Sequence, residues 1–298
     1  MKTSNHTEAL EQRFGALGAV RMNCEAGFEA IDYSMYTREG VVFEQGGRLV
    51  TKEMKKIAAS YGVGFNQAHA PFSRFKIGEE NADENRAIYY SILRAIEVAA
   101  ELEAPIIIVH PSVICPHLSA DDRFEMNMEF YGKLLPRAKE MGVKIAIENM
   151  WGRHKDCRER IVKDVCSDAA ELIRYVDALD SPYVCACLDV GHAGLVGEAA
   201  DEMALALGKR LGAIHIHDND FVKDKHTLPF VGGVNFTSLN KALAKIGYEG
   251  DMTLEANYFL DTFPDELVPS ALTFMARTAA YLRDEVQQMI EKRKNRTV

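Results

Sequence analysis

Short apolar runs alternate with longer amphipathic stretches along most of the chain, and this alternation constrains the fold more than any other feature. Residues 105–110 (PIIIVH) form a β-branched run that is typical of a strand buried on both faces. The preceding residues 81–103 carry apolar side chains at helical spacing. Runs of this kind predict seven strands from residue 28 onward, at 28–34, 64–69, 105–110, 143–148, 183–189, 212–217 and 251–255.

The start of the chain completes this pattern. Residues 2–6 predict a short first strand and residues 8–26 a first helix, which makes eight β/α units in 298 residues. Such a chain is predicted to be an α/β protein with one closed (β/α)8 barrel, a TIM barrel. A doubly wound open sheet is the alternative, but it usually carries a Gly-rich turn after its first strand, and the sequence contains no GxGxxG. No linker rich in Pro, Gly or Ser divides the chain, so we predict a single domain over residues 1–298 with a frayed tail at about 290–298.

Charge and cysteine content limit the partners and the compartment. The formal net charge is −9, and an acidic surface argues against nucleic acid or an anionic membrane as the main partner. No apolar run approaches the roughly 20 residues that span a bilayer, and the short polar start does not resemble a signal peptide. The six cysteines form no CxxC pair and the chain is too long to need disulfides, so we expect reduced thiols, with Cys185 and Cys187 as small core residues on one strand face. We therefore expect a cytoplasmic protein, and the sequence leaves open whether it forms a homo-oligomer.

Most of the predicted strands end in a residue type that binds metals. Because the carboxyl ends of all strands of a parallel barrel meet at one face, these residues are expected to converge there. Charged groups at the inner end of a strand are costly to bury unpaired, and a cation shared between carboxylates and imidazoles offsets that cost. Such ligands suit Mn²⁺, Zn²⁺, Co²⁺ or Mg²⁺. The strand-terminal residues are His69, His110, Glu148, Asp189, His217 and Glu255.

The run at 212–217 offers two histidines for this face. His215 and His217 are two positions apart, so both side chains point to the same side of a strand. His217 lies nearer the end of the run, and we therefore predict it at the metal. His215 is then expected one layer lower, as a packed residue or a support for the ligands.

Several segments together resemble the xylose-isomerase-like TIM barrels, a superfamily that joins sugar isomerases and epimerases to the endonuclease-IV-type AP endonucleases. The resemblance spans nearly the whole chain, and its strength lies in the order and spacing of the segments. These are HAPF (69–72), IIIVHPS (106–112), IAIENM (145–150), CLDVGHA (187–193), IHIHDND (214–220), HTLPFVGG (226–233) and TLEAN (253–257).

The sugar phosphate isomerase/epimerase members resemble this chain most, and the resemblance implies both a site and a reaction. By position it implies one divalent metal ion on Glu148, Asp189, His217 and Glu255. It also implies a metal-dependent sugar isomerase or epimerase that acts on a sugar, a sugar phosphate or a keto-polyol by proton transfer through an enediolate. Glu148 and Glu255 are then the catalytic acid and base, because each can place one oxygen on the metal and one toward the substrate.

Six further side chains are predicted to contact a small carbohydrate substrate. The resemblance implies this role for His192, which follows Asp189 in the turn Asp-Val-Gly-His. The segment after the fifth strand is expected to overhang the mouth of the barrel, where an indole could stack on a sugar and cations could hold a phosphate or carboxylate. The predicted substrate-binding residues are His69, His110, His192, His226, Trp151 and Arg153.

A zinc-dependent AP endonuclease of the endonuclease-IV type is the rival function, and a lyase or dehydratase on the same site is a further one. The three-zinc ligand pattern of the nuclease can be placed on His69, His110, Glu148, Asp189, His192, His217, Asp224, His226 and Glu255. The net charge of −9 lacks the basic surface expected of a duplex binder. The residues after His226 also lack the Gly-Glu-Gly that is associated with the nucleases. We therefore expect no nucleic-acid partner.

Overall fold

A closed barrel of eight parallel strands forms the centre of the molecule. The computed structural model describes residues 1–72, 74–76, 78–111, 118–154 and 156–295. The strands are β1 (Thr3–His6), β2 (Ala30–Ser34), β3 (Gly64–His69), β4 (Ile106–Val109), β5 (Lys144–Glu148), β6 (Trp151–His154), β7 (Cys157–Lys163), β8 (Val184–Asp189), β9 (Leu211–Ile216) and β10 (Met252–Leu254). Eight of these strands close the barrel, in the order β1, β10, β9, β8, β5, β4, β3, β2, and β6 and β7 pair with each other. The predicted (β/α)8 TIM barrel is confirmed.

Helices cover the outside of this barrel. They are α1 (Glu8–Ala26), α2 (Gly47–Ser60), α3 (Ala82–Glu101), α4 (Ala120–Met141), α5 (Ala169–Leu179), α6 (Val190–Leu195), α7 (Ala200–Leu207), α8 (Phe236–Ile246), α9 (Asn257–Asp261) and α10 (Val268–Lys294). The first helix is broken at Gly15, whose φ of 70° is non-helical. The last helix continues to Lys294, inside the stretch that we expected to fray, and residues 296–298 lie outside the described part. Within the described residues, no helix has the length and apolar character needed to cross a bilayer.

Small side chains line the barrel interior directly below the polar residues. Ala146 and Cys187 are buried and belong to one cluster, and each stands two positions before a carboxylate of the site. Side chains two apart on a strand share a face, so these small residues lie under the polar ones. The cysteines at the five described positions are free, as the sequence predicts, and Cys115 lies outside the described residues. On the β5 and β8 side of the barrel, the polar residues thus lie over small apolar side chains.

An antiparallel hairpin, β6 and β7, follows the fifth barrel strand and pairs Trp151 with Lys163. From the sequence we expect an overhanging segment here, without strands in it. The alternation of apolar and polar residues that would indicate strands is hard to recognise in this segment, because most of the outward positions and the turn carry charged side chains. The hairpin places Trp151 at the mouth of the barrel.

Candidate active site and metal centre

Three carboxylates and one histidine converge at the carboxyl ends of the barrel strands. One donor atom from each of Glu148, Asp189, His215 and Glu255 lies within 4.8 Å of the others. The Nδ1 atom of His215 is 2.8 Å from Glu148 Oε1 and 3.2 Å from Glu255 Oε2. All four side chains are at most 3% exposed. The two glutamates, more than 100 positions apart in the chain, therefore face one point.

His217, which we predicted in this set, contacts one of its members, Asp189. Strand β9 ends at Ile216, and its register places His215 opposite Asp189 of β8, whereas His217 lies beyond the paired part of the strand. The Nε2 atom of His217 lies 2.9 Å from Asp189 Oδ1, and its ring stacks on His226 at 3.8 Å. The structure thus brings His215 rather than His217 to both glutamates, and the metal set that we propose below contains His215.

The side chain of Asn149 holds the backbone of Asp189 at both its N–H and its C=O group. The Asn149 side chain accepts a hydrogen bond from Asp189 N at 2.7 Å and donates one to Asp189 O at 2.9 Å. The carboxylate of Asp189 caps α6 by accepting from His192 N at 2.7 Å. Gly191 in this turn permits a close approach, because a Cβ atom there would come within 2.0 Å of the His217 ring. The Asp-Val-Gly-His turn is therefore fitted to the rings around it.

A second group of possible metal ligands lies beside the first. It contains His192, His217, Asp224 and His226, with donor atoms within 4.8 Å of one another. Nδ1 of His192 donates to Asn149 O at 3.0 Å, and Nδ1 of His226 donates to Glu255 O at 2.9 Å. Since a carbonyl oxygen only accepts, both rings carry a hydrogen on Nδ1. Their Nε2 atoms face Asp224, at 3.4 and 3.1 Å.

A third group shares Glu148 with the first. His69, Glu148 and His215 offer donor atoms within 4.8 Å. His69 Nδ1 donates to Ala70 O at 2.7 Å, so its Nε2 points to Glu148 Oε2 at 3.5 Å. His110 Nε2 approaches the same oxygen at 2.7 Å, although not along a hydrogen-bonding direction.

Unsatisfied buried atoms indicate that these residues fit a cation. A buried polar atom without a hydrogen-bond partner is costly, and a metal ion bound between such atoms removes the cost. Burial by itself raises the pKa of Glu148, but the positive charges of His215 and His110 outweigh it and hold this pKa well below its usual range. The partnerless atoms around the centre are His6 Nε2, Asp32 Oδ1, His69 Nε2, His110 Nε2, Glu148 Oε2 and Asp224 Oδ1.

A cavity of about 690 Å³ opens above this centre. Some of the predicted substrate-binding residues line this cavity and others do not. His110, His192, His226 and Trp151 line it, together with Glu148 and Glu255. His69 and Arg153 are not among the described lining residues. His69 is buried below the cavity, and the Arg153 guanidinium lies 5.0 Å from the centre of the Trp151 ring. The indole nitrogen of Trp151 donates to Asp224 Oδ2 at 3.1 Å, which fixes that ring at the mouth.

Exposed aromatic rings surround the entrance, and two of them were missed from the sequence. Tyr36 and Phe72 contact edge to face at 5.4 Å, and Tyr258 lies 5.8 Å from His226. All three are at least 42% exposed and line the cavity. Such rings offer apolar faces to a sugar. Tyr36 and Tyr258 follow β2 and β10, and their positions after strands were the signal that could have found them.

Two titratable residues near the amino terminus also belong to the site and were missed. His6 ends β1 with its Nε2 atom 3.7 Å from Glu255 Oε1, and burial lowers its pKa to about 4. Glu8 lines the cavity, and burial, reinforced by the charge of Glu255, raises its pKa to about 7. The first strand was too short for its last residue to be recognised as a functional one.

The comparisons with known proteins agree with this architecture. The chain matches the family described as xylose isomerase-like TIM barrel over residues 24–278. The uncharacterized protein MJ1311 from Methanocaldococcus jannaschii is 29% identical over 192 residues, so the match spans 63% of this chain and 62% of that protein.

Two solved structures extend the comparison to nearly the whole chain. A D-tagatose 3-epimerase-like protein superposes with a TM-score of 0.74 at 21% identity, over 98% of this chain and 99% of that one. The IOLI protein, whose structure contains a bound zinc atom, superposes with a TM-score of 0.70 at 17% identity, over 98% and 99% of the two chains. At this identity the two structures establish only the fold. The match to the family over residues 24–278 establishes the family. The chain belongs to the xylose isomerase-like TIM barrel family.

Proposed function

We propose that this protein is a divalent-metal-dependent sugar isomerase or epimerase that moves a proton at a carbon next to a carbonyl group. The observation that carries the proposal is the pair of glutamates, Glu148 and Glu255, which approach one imidazole nitrogen from two sides at the floor of a cavity. A binding protein would not need two buried carboxylates at one point. The neighbouring D-tagatose 3-epimerase-like protein supports the same reaction class.

Glu148, Asp189, His215 and Glu255 would hold one ion. Three carboxylates and an imidazole suit Mn²⁺, Zn²⁺, Co²⁺ or Mg²⁺. When bound, such an ion supplies Lewis acidity that polarises a carbonyl and favours loss of a neighbouring proton. The carboxylates otherwise repel one another within 4.8 Å, which is the physical reason for a cation here.

The two glutamates divide the proton transfer between them. Each has one oxygen toward His215 and a second oxygen that faces other groups: Glu148 Oε2 faces His110, and Glu255 Oε1 faces His6. One carboxylate takes the proton as the carbon–hydrogen bond breaks, leaving an enediolate. The other returns a proton to the opposite face of the same carbon, which gives epimerisation, or to the adjacent carbon, which gives isomerisation once the hydroxyl proton has passed between the two substrate oxygens.

The cavity walls would orient the carbohydrate. His192 and His226 each have Nδ1 bound to a backbone carbonyl and Nε2 toward Asp224, so the three side chains form one fixed polar group on the cavity wall. Trp151 is fixed by its hydrogen bond to Asp224 and offers a ring face beside these histidines. Orienting the reacting carbon in this way contributes to rate because it replaces random encounter with one geometry.

Solvent-deuterium incorporation tests the proposal across many candidate substrates at once, because it reports proton abstraction from carbon directly. The protein is supplied with Mn²⁺ and screened against ketoses, keto-inositols and their phosphates in D₂O. We expect carbon-bound deuterium in at least one substrate, and a loss of about 10²-fold or more in Glu148→Gln and Glu255→Gln. Glu129→Gln, which alters a surface ion pair with Lys133, is the matched control and keeps full activity. Full turnover of Glu148→Gln with metal still bound would refute the two-glutamate scheme.

The endonuclease-IV-type nuclease is the second candidate, because the groups around Asp224 and His69 complete a set for further metal ions. Metal analysis separates the two functions. The sugar enzyme predicts one ion per chain and an unchanged ion count in Asp224→Asn. Three zinc ions per chain, loss of zinc in Asp224→Asn and cleavage of DNA at abasic sites would establish the nuclease instead.

A further inference from the structure

A buried aspartate below the centre contacts the imidazole of the proposed metal set. Asp32 lies on β2, is 0% exposed, and places Oδ2 at 3.3 Å from His215 Nε2. Gln67 Nε2 donates to the same Asp32 oxygen at 3.0 Å. Strand β2 pairs with β3, and their register sets Asp32 opposite Gln67. The aspartate is therefore fixed by its neighbour while it faces the histidine.

The two nitrogens of His215 face different carboxylates. Asp32 lies at Nε2, where Gln67 Nε2 also approaches to 3.1 Å, and a cation bound at Nδ1 would leave the ring proton on Nε2, toward Asp32. Nδ1 is the atom that lies 2.8 Å from Glu148 and 3.2 Å from Glu255. His69, His192 and His226 are instead oriented by backbone carbonyls. Among these four rings, His215 is the one whose far nitrogen faces a carboxylate, that of Asp32, in place of a backbone carbonyl.

Asp32 has no other evident task in the site. It is not among the described residues that line the cavity, so it would not touch the substrate. Its second oxygen, Oδ1, is buried without a hydrogen-bond partner, which makes the residue costly for stability alone. A buried carboxylate behind a ligating histidine increases the ligand's basicity and fixes its ring.

We propose that Asp32 is a positioning residue that holds His215 with Nδ1 toward the donor set and strengthens metal binding there. This inference rests on the metal centre of the proposed function. It assigns Asp32 a role in affinity and in the ligand field, and the substrate does not enter into it.

Metal titration of three variants tests the role. Asp32→Asn keeps an oxygen that can accept from Nε2 and removes the charge, and Asp32→Leu removes both. Loss of such a support typically weakens binding about 10- to 100-fold, so we expect about tenfold for Asn and about 100-fold for Leu in calorimetric titration with Mn²⁺. Thr253→Val is the control, since Thr253 is equally buried one layer below Glu255 and bonds to Ser4 at 2.7 Å. Its Mn²⁺ affinity stays within about twofold of the wild type.

The Co²⁺-loaded proteins give a second readout, because a merely structural role would not move the visible absorption bands of the metal. We expect shifted bands in Asp32→Asn and unchanged bands in Thr253→Val. Wild-type affinity and spectrum in Asp32→Asn would overturn the inference while leaving the metal centre intact. Absence of Mn²⁺ binding in the wild type would overturn the proposed metal centre itself, and this inference with it.

Discussion

At the scale of single residues, the site depends on which nitrogen each histidine turns toward the carboxylates. The rings of His69, His192 and His226 donate hydrogen bonds from Nδ1 to carbonyl oxygens and turn Nε2 toward the carboxylates. His215 is reversed and presents Nδ1. These orientations arise from the backbone around each ring and from Asp32, so they exist before any ligand arrives. A preorganised donor set of this kind binds its ion without rearrangement.

The two histidines at the end of β9 should differ sharply in metal binding. His215→Ala removes a ligand between the two glutamates, and we expect Mn²⁺ affinity to fall by more than about 100-fold, since even a supporting residue is worth about 10- to 100-fold. His217→Ala removes a ring that contacts Asp189 from the other side, and a smaller loss is expected. Calorimetric titration measures both. A larger loss in His217→Ala would favour the ligand set that the sequence predicts.

Glu11 on α1 should make stability depend on pH. Burial raises its pKa from 4.5 to about 7, despite a hydrogen bond from Tyr33 that lowers it. The folded form thus favours the protonated acid, and the contribution is full below pH 4.5 and is lost as the pH rises through about 7.

Urea unfolding of wild type and Glu11→Gln at pH 4 and pH 8 measures this dependence. The wild type should lose stability relative to the variant by at most about 3 kcal/mol between the two values, because one pKa unit is about 1.4 kcal/mol. An equal difference at both pH values would contradict the assignment.

At the scale of elements, the short turn between β8 and α6 connects packing to the site. Asp189 ends the strand, caps the helix and belongs to the donor set. Gly191 lies in the first turn of α6 against the His217 ring. The first turn of α6 therefore has no room for a side chain at position 191 unless the His217 ring moves.

Two helical glycines should respond oppositely to alanine. In Gly191→Ala the new Cβ would lie 2.0 Å from the His217 ring, so we expect a loss of about 1–3 kcal/mol from overpacking. Gly132 in α4 has nothing within 4 Å of such a Cβ, and Gly132→Ala should gain about 0.5–1 kcal/mol from reduced unfolded-state entropy. Thermal and urea unfolding compare the two. Stabilisation by Gly191→Ala would show that the ring moves freely.

The sequence predicted the barrel elements well because their periodicity is local. Residues 8–26 and 64–69 were assigned with the bounds that the structure gives them. The sequence could not give the positions of His215 and His217 relative to Asp189, because both were predicted on one strand face and the register against β8 is not visible in the sequence. Asp32 lies inside a predicted strand, and a charged residue that is not at the strand's end is a signal that the strand-end pattern overlooks. The hairpin at Trp151 was missed because its charged residues obscure the alternation.

At the scale of the whole molecule, barrel closure produces the site. Donors from β5, β8, β9 and the end of β10 meet because eight parallel strands end at one face. An ion bound there connects distant parts of the chain and binds the native state alone. Metal binding should therefore be coupled to global stability.

Removal of the ion should lower the melting temperature. At an ion concentration of about 100 times its Kd, binding stabilises the fold by about 2.7 kcal/mol, and a chelator abolishes this gain. We expect scanning calorimetry to show a melting temperature that rises with Mn²⁺ in the wild type. The double variant Glu148→Gln, Glu255→Gln should show no such rise. A metal-dependent rise of equal size in the double variant would locate the ion elsewhere.

Anomalous diffraction from crystals grown with Mn²⁺ would locate the proposed ion. We expect one anomalous peak within bonding distance of Glu148, Asp189, His215 and Glu255. A peak held instead by His192, Asp224 and His226, with none between the two glutamates, would contradict this expectation.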